Sequence, residues 1–122
     1  MKKQFDIENW ARKDHFNFFN QFDEPFFGVT VDIDCTIAYH KCKQEGIGFF
    51  LYYLHQSLVA ANAVENFRLR IEDNQIYLYD QVNASAVINR ADNSFGFSYI
   101  DYFIDFKAFE VAAKIEIVIN MN

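Results

Sequence analysis

The chain has 122 residues, of which 52% are hydrophobic and 19% aromatic, with 15 Phe and 7 Tyr. That is too much apolar material for a disordered segment, so the chain is expected to bury a core as one compact domain or part of one. Eleven basic against seventeen acidic residues give a net charge of −6 with no basic cluster, which argues against a nucleic-acid or anionic-membrane surface and for neutral molecules or proteins as partners.

After a lead carrying Phe5 and Ile7, residues 14–22 place His15, Phe18, Phe19 and Phe22 on one helical face, with Asp14 as a candidate cap. From Phe27 the pattern alternates strictly. Phe27, Val29, Val31 and Ile33 fall on one side and Gly28, Thr30, Asp32 and Asp34 on the other, which predicts a half-buried strand. A polar helix over 36–45, stopped by Gly46 and Gly48, precedes the clearest helix of the chain. There Phe49, Phe50, Tyr53, Leu54, Ser57, Leu58, Ala60, Ala61 and Val64 form a wide apolar stripe that should face the core. Residues 68–71 and 75–79 flank Glu72-Asp73-Asn74 as a hairpin, and two further strands are expected over 84–90 and 95–102. A last helix starts near Asp105 and turns Phe106, Phe109, Ala112, Ala113 and Ile117 inward. This order predicts an α+β two-layer sandwich with a mixed or antiparallel sheet and helices on one face. The other face is then exposed, or covered by something this chain does not supply.

The common catalytic motifs are absent: there is no glycine-rich phosphate loop, nucleophile elbow, Cys-x-x-Cys or His-Glu-x-x-His. Cys35 and Cys42 read as buried thiols of a reducing compartment, and His40 points away from their shared helical face, so no metal site is expected. His55 reads as a surface or boundary histidine, and His15 as a hydrogen-bonded structural one. Asp101 and Asp105 could pair, but Asp105 makes a sensible N-cap. Two aromatic clusters, 16–27 and 95–109, are mostly core material, yet they also suit the wall of an apolar ligand cavity. No apolar run is long enough to span a bilayer, and Met1-Lys2-Lys3-Gln4-Phe5-Asp6 turns acidic where a signal peptide turns apolar, so the expected compartment is the cytoplasm.

The opening Asp6-Ile7-Glu8-Asn9-Trp10-Ala11-Arg12-Lys13-Asp14-His15-Phe16 resembles the N-terminal motif of the chloramphenicol acetyltransferases, Asp-x-x-x-Trp-x-Arg-basic-acidic-His-Phe. The resemblance continues through Thr30-Val31-Asp32-Ile33-Asp34, Phe49-Phe50, Phe67-Arg68-Leu69-Arg70-Ile71, Leu78-Tyr79-Asp80 and Ser94-Phe95-Gly96-Phe97-Ser98. It implies that residues 1–122 are a partial domain of that family, with part of the CoA-dependent acyltransferase fold. It further implies acetyl-CoA as cosubstrate, a small hydrophobic hydroxylated acceptor and a trimeric assembly with pockets at subunit interfaces. By this resemblance Phe18, Phe19, Phe27, Phe95 and Phe97 line the acceptor pocket, and Arg12 ion-pairs with an aspartate of the catalytic motif. That motif, His-His-x-x-x-Asp-Gly, does not occur in these residues, so no catalytic residue is assigned. Arg12 would then have to find Asp14, Asp101 or solvent.

Three readings stay open at this point. The chain is the N-terminal portion of such an enzyme, completed by a companion C-terminal half; or a naturally short, non-catalytic binding or assembly module keeping the aromatic pocket; or a structural oligomer of unrelated activity.

Overall fold

A computed structural model describes residues 1–121. Its elements are β1 (Lys2–Gln4), α1 (Lys13–Phe19), α2 (Thr36–Glu45), α3 (Phe49–Ala63), β2 (Leu69–Glu72), β3 (Gln75–Tyr79), β4 (Val87–Asn89), β5 (Phe95–Phe97) and α4 (Phe106–Met121). The class is α+β, as expected. The strands, however, divide into two antiparallel sheets, one ordered β1-β3-β2 and the other β4-β5.

The core forms where α3 and α4 meet the strand-like 84–100 region. Leu51 and Leu58 of α3 pack with Ile100 and with Phe109 and Ala113 of α4, flanked by Leu54, Ala84, Tyr102, Phe106 and Ile117. Phe109 and Ala113 are fully buried, which agrees with the inward face read for this helix. Asp105 caps α4 by accepting the Ala108 amide at 2.9 Å, and Asp101 instead takes the Asn83 side-chain amide at 3.0 Å. The two carboxylates therefore have separate tasks.

The stripe read for α3 is displaced. Leu51, His55 and Leu58 are its buried residues, whereas Phe50, Tyr53 and Val64 are exposed. Phe49 and Tyr53 instead form edge contacts, and Phe49 meets Tyr39 of α2 at 5.4 Å, so the aromatic side of α3 serves the α2 contact. His55 is a core residue with 3% exposure, not a surface one. Its Nε2 lies 2.9 Å from the Phe103 carbonyl, which can only accept, so that nitrogen carries the hydrogen. The helix α2 ends as read: Gly46 adopts φ +67°, and the amide of Ile47 donates to the Cys42 carbonyl at 2.9 Å. Cys42 is buried but Cys35, at the helix start, is exposed, and both are free thiols.

The hairpin folds as expected, and its turn is tighter than the acidic triplet suggested. Glu72 still pairs with Gln75, and Asp73 and Asn74 alone turn the chain, with φ of +51° and +61°. Two positive φ values match a primed turn, whose twist suits the flanking strands. The strand β1 carries no apolar alternation and gave no signal. It is held at the sheet edge by Lys2, which pairs with Glu72 and lies 4.5 Å over the Tyr77 ring. The regular pairing of β4 with β5 spans three residues each, extended by a bridge between Ala84 and Ile100. At Gly96 a Cβ atom would lie 2.7 Å from Arg90 Nη2, while Arg90 Nε donates to the Asn120 carbonyl at 2.9 Å.

The main departure lies between α1 and α2. The strand expected from Phe27 to Ile33 is an extended arm without a neighbour. Phe27, Val29, Val31 and Ile33 are 92%, 83%, 72% and 76% exposed, and among the described residues the arm makes no backbone hydrogen bond. Alternation sets a strand's two faces, but pairing requires another strand, and those described here pair elsewhere. The helix α1 is also shorter than read, ending at Phe19, and Asp14 lies in its first turn, not at its cap.

Candidate functional site

The opening loop builds one side of the site. The Asp6 carboxylate accepts the Asn9 side-chain amide at 2.7 Å and the Asn9 backbone amide at 3.3 Å, and the side-chain bond is the main cause holding its pKa below the usual value. This closes the turn that leads into Trp10. Lys13 pairs with Glu8 across the start of α1, and its pKa is raised chiefly by that hydrogen bond. Trp10 is thereby fixed in edge contact with Phe5 at 5.4 Å and tilted against Phe16 at 6.4 Å.

A cleft of about 650 Å³ opens beside this cluster. One wall consists of Trp10, Phe16, Phe19 and Phe22, and another of Pro25, Phe26 and Phe27. The floor comes from the hairpin through Leu69, Ile71 and Ile76, and the polar lining is Arg12, His15, Glu24, Asn66 and Arg70. This is the composition of a small-molecule site: mostly apolar walls with a few polar groups to orient a ligand.

The expected site residues divide between two places. Phe19 and Phe27 line the cleft. Phe18 stands behind it, packed on Phe19 at 5.1 Å and on Phe22 at 5.4 Å. Phe95 and Phe97 form their own edge-to-face pair at 5.7 Å on β5, outside the cleft lining. Within this chain the five are thus in two places, because β5 pairs with β4, whereas the cleft is built on the β2–β3 hairpin. Arg12 has no ion pair among the described residues, and neither Asp14 nor Asp101 receives it. Its guanidinium sits 6.0 Å from the Trp10 ring centre and is otherwise open to solvent. Sequence reading missed the contribution of Leu69, Ile71 and Ile76; their alternation predicted strands without saying which face met the Phe-rich helix. Among the described residues no cluster of His, Cys, Asp and Glu could hold a metal ion, and no helix is long and apolar enough to cross a membrane.

The family model for chloramphenicol acetyltransferase matches residues 2–121. The chain belongs to the chloramphenicol acetyltransferase family. A solved chloramphenicol acetyltransferase structure superimposes with a TM-score of 0.86 at 37% identity, covering 94% of this chain and 55% of that one. Among curated family members, the Proteus mirabilis enzyme is 31% identical over 78 residues, 64% of this chain and 36% of the relative. An Escherichia coli chloramphenicol acetyltransferase is 27% identical over 105 residues, 85% of this chain and 48% of the relative. The chain thus spans about half the length, or less, of the family members it matches.

Proposed function

We propose that this chain carries the acceptor-binding part of an acetyl-CoA-dependent O-acetyltransferase, whose reaction moves an acetyl group to a hydroxyl of chloramphenicol or a similar small molecule. The observation that carries the reading is the aromatic cleft built by the family's opening motif: Trp10, Phe16, Phe19 and Phe27 offer apolar walls to a flat ring, and Asn66, His15 and the two arginines offer polar contacts at its edge. Phe95 and Phe97 belong to the same acceptor surface in this reading, brought to the cleft of a neighbouring copy in a trimer. Acetyl-CoA is the acetyl donor.

Chemistry needs a base that takes the hydroxyl proton as the oxygen attacks the thioester carbonyl. His15 lines the cleft, but no hydrogen-bond partner among the described residues orients its ring. His40 contacts Tyr39, and His55 is enclosed in the core. The chain is therefore inactive by itself in this reading, because losing a positioned base costs about 10²–10⁴-fold in rate. The segment containing His-His-x-x-x-Asp-Gly supplies that base. A reducing cytoplasm suits the free thiols Cys35 and Cys42, and there the completed enzyme would confer chloramphenicol resistance.

Trp10 is the one tryptophan of the sequence and reports on the cleft directly. Chloramphenicol is expected to quench its fluorescence saturably, with Phe19→Ala weakening binding about tenfold through lost aromatic contact. Acetyl transfer from acetyl-CoA by a chain of verified mass is expected to be absent. Turnover by that chain alone would overturn the assignment of the missing base, and absence of quenching would overturn the cleft as the acceptor site.

A further inference from the structure

A second groove, of about 530 Å³, runs between β1, the β2–β3 turn and α1, and it shares only Phe16 with the aromatic cleft. Its volume falls in the range of small-molecule sites, about 300–1,000 Å³. The chemistry of its lining differs from that of the cleft. Five of its eleven lining residues carry a side-chain amide, namely Gln4, Asn17, Asn20, Asn74 and Gln75. Two half-buried rings, Phe5 and Phe16, supply its aromatic surface.

The charged groups of the groove are already engaged. Lys13 pairs with Glu8, and the Asp6 carboxylate holds both amides of Asn9. An anion would meet the Asp6 charge with no free cation to offset it, and among the described residues no group of acids, histidines or cysteines could hold a metal ion. The amides, in contrast, are open. Gln4 Nε2 donates to Gln75 Oε1 at 2.8 Å, which leaves the Gln4 carbonyl as an acceptor and the Gln75 amide nitrogen as a donor. The side chains of Asn17, Asn20 and Asn74 are exposed and make no hydrogen bond to the described residues. Each offers a donor and an acceptor side by side, which is what two neighbouring hydroxyls require. The frame that carries them is fixed: Asn17 and Asn20 lie one turn apart at the end of α1, Asn74 is set at φ +61° in the hairpin turn, and the Phe5 amide donates to the Ile76 carbonyl at 2.8 Å.

We propose that this groove binds a neutral sugar, the pyranose ring of a saccharide. The apolar C–H face of the ring lies on Phe5 and Phe16, and its hydroxyls bond the amides of Asn17, Asn20, Asn74 and Gln75. A neutral, polyhydroxylated ring matches both halves of the lining, where a flat apolar ligand would leave the amides without partners. The site stands apart from the acetyl-transfer reading, since none of the polar groups of the cleft takes part in it.

The probe is cellobiose, titrated into the 122-residue chain and followed by proton–nitrogen correlation spectra of the side-chain amides. The signals of Asn17, Asn20, Asn74 and Gln75 are expected to shift saturably, with a dissociation constant of about 1 mM. Asn17→Ala and Asn74→Gly should each weaken binding about fivefold, the effect of one lost hydrogen bond. Both variants keep the fold: the Asn17 side chain makes no bond in the helix, and glycine accepts the positive φ at position 74. Absence of a saturable shift would overturn the proposal. So would binding that neither variant weakens, because the sugar would then sit elsewhere. An equal response to glycerol would also overturn it, in favour of loosely held hydroxyls without recognition of a ring. None of these readouts involves chloramphenicol, acetyl-CoA or Trp10, so the functional reading and the sugar site fail separately.

Discussion

Glu110 shows how single residues are tuned in this molecule. It lies on α4 next to the fully buried Phe109, is itself only 7% exposed, and is reached by Lys114 at 2.7 Å and Lys107 at 3.6 Å. The hydrogen bond from Lys114 is the main cause that lowers its pKa from 4.5. A carboxylate with a lowered folded-state pKa contributes stability above its unfolded value, and that contribution is lost as pH falls through the folded one. Glu110→Gln is therefore expected to flatten the acid limb of stability below about pH 4.5, measured as urea midpoint against pH. Residues of this kind were hard to read. The inward face of α4 was legible from the spacing of Phe109 and Ala113, but nothing in that spacing marks Glu110 beside them as buried. His55 misled for the same reason: a polar side chain on an apolar helix reads as boundary until the partner that satisfies it is known. That partner, the Phe103 carbonyl, is 48 residues away.

Among the elements, the hairpin was the most legible because its signal is local. Asp73 and Asn74 tolerate positive φ, and the flanking alternation fixes the register. Asn74→Val puts a β-branched side chain at φ +61° and is expected to cost about 1–2 kcal/mol, read from the shift in chemical denaturation midpoint. The strand β1 is the opposite case: Lys2-Lys3-Gln4 is a strand only because β3 offers an edge and Glu72 a charge partner. Residues 27–33 reverse the failure, having strong alternation and no partner. Together they show that periodicity reports faces, whereas pairing is a property of the neighbour. The cleft follows the same division: α1 and its aromatics were readable as a candidate wall, but the hairpin that floors it belongs to long-range packing.

At the scale of the whole molecule, the charge of −6 opposes the association that so much exposed Phe, Ile and Val favours. The sequence pI is about 4.9, so light scattering is expected to rise as pH is lowered towards that value and to fall again with added distance from it. A flat scattering profile across that range would show the apolar surface to be covered already. The expectation of an uncovered face was legible from the strand pattern, but its extent was not, because the sequence does not say that the strands split into two small sheets. One tie across this structure bears on how the sequence can change over time. Arg90 occupies the space above Gly96 while holding the carbonyl of Asn120 near the end of α4, so positions 90 and 96 are not independent. A side chain at 96 would meet the far end of Arg90, so a lineage that enlarges position 96 must let that guanidinium shift and, with it, the bond to Asn120. The pair should drift together, as a covarying couple whose loss loosens the last helix from the small sheet.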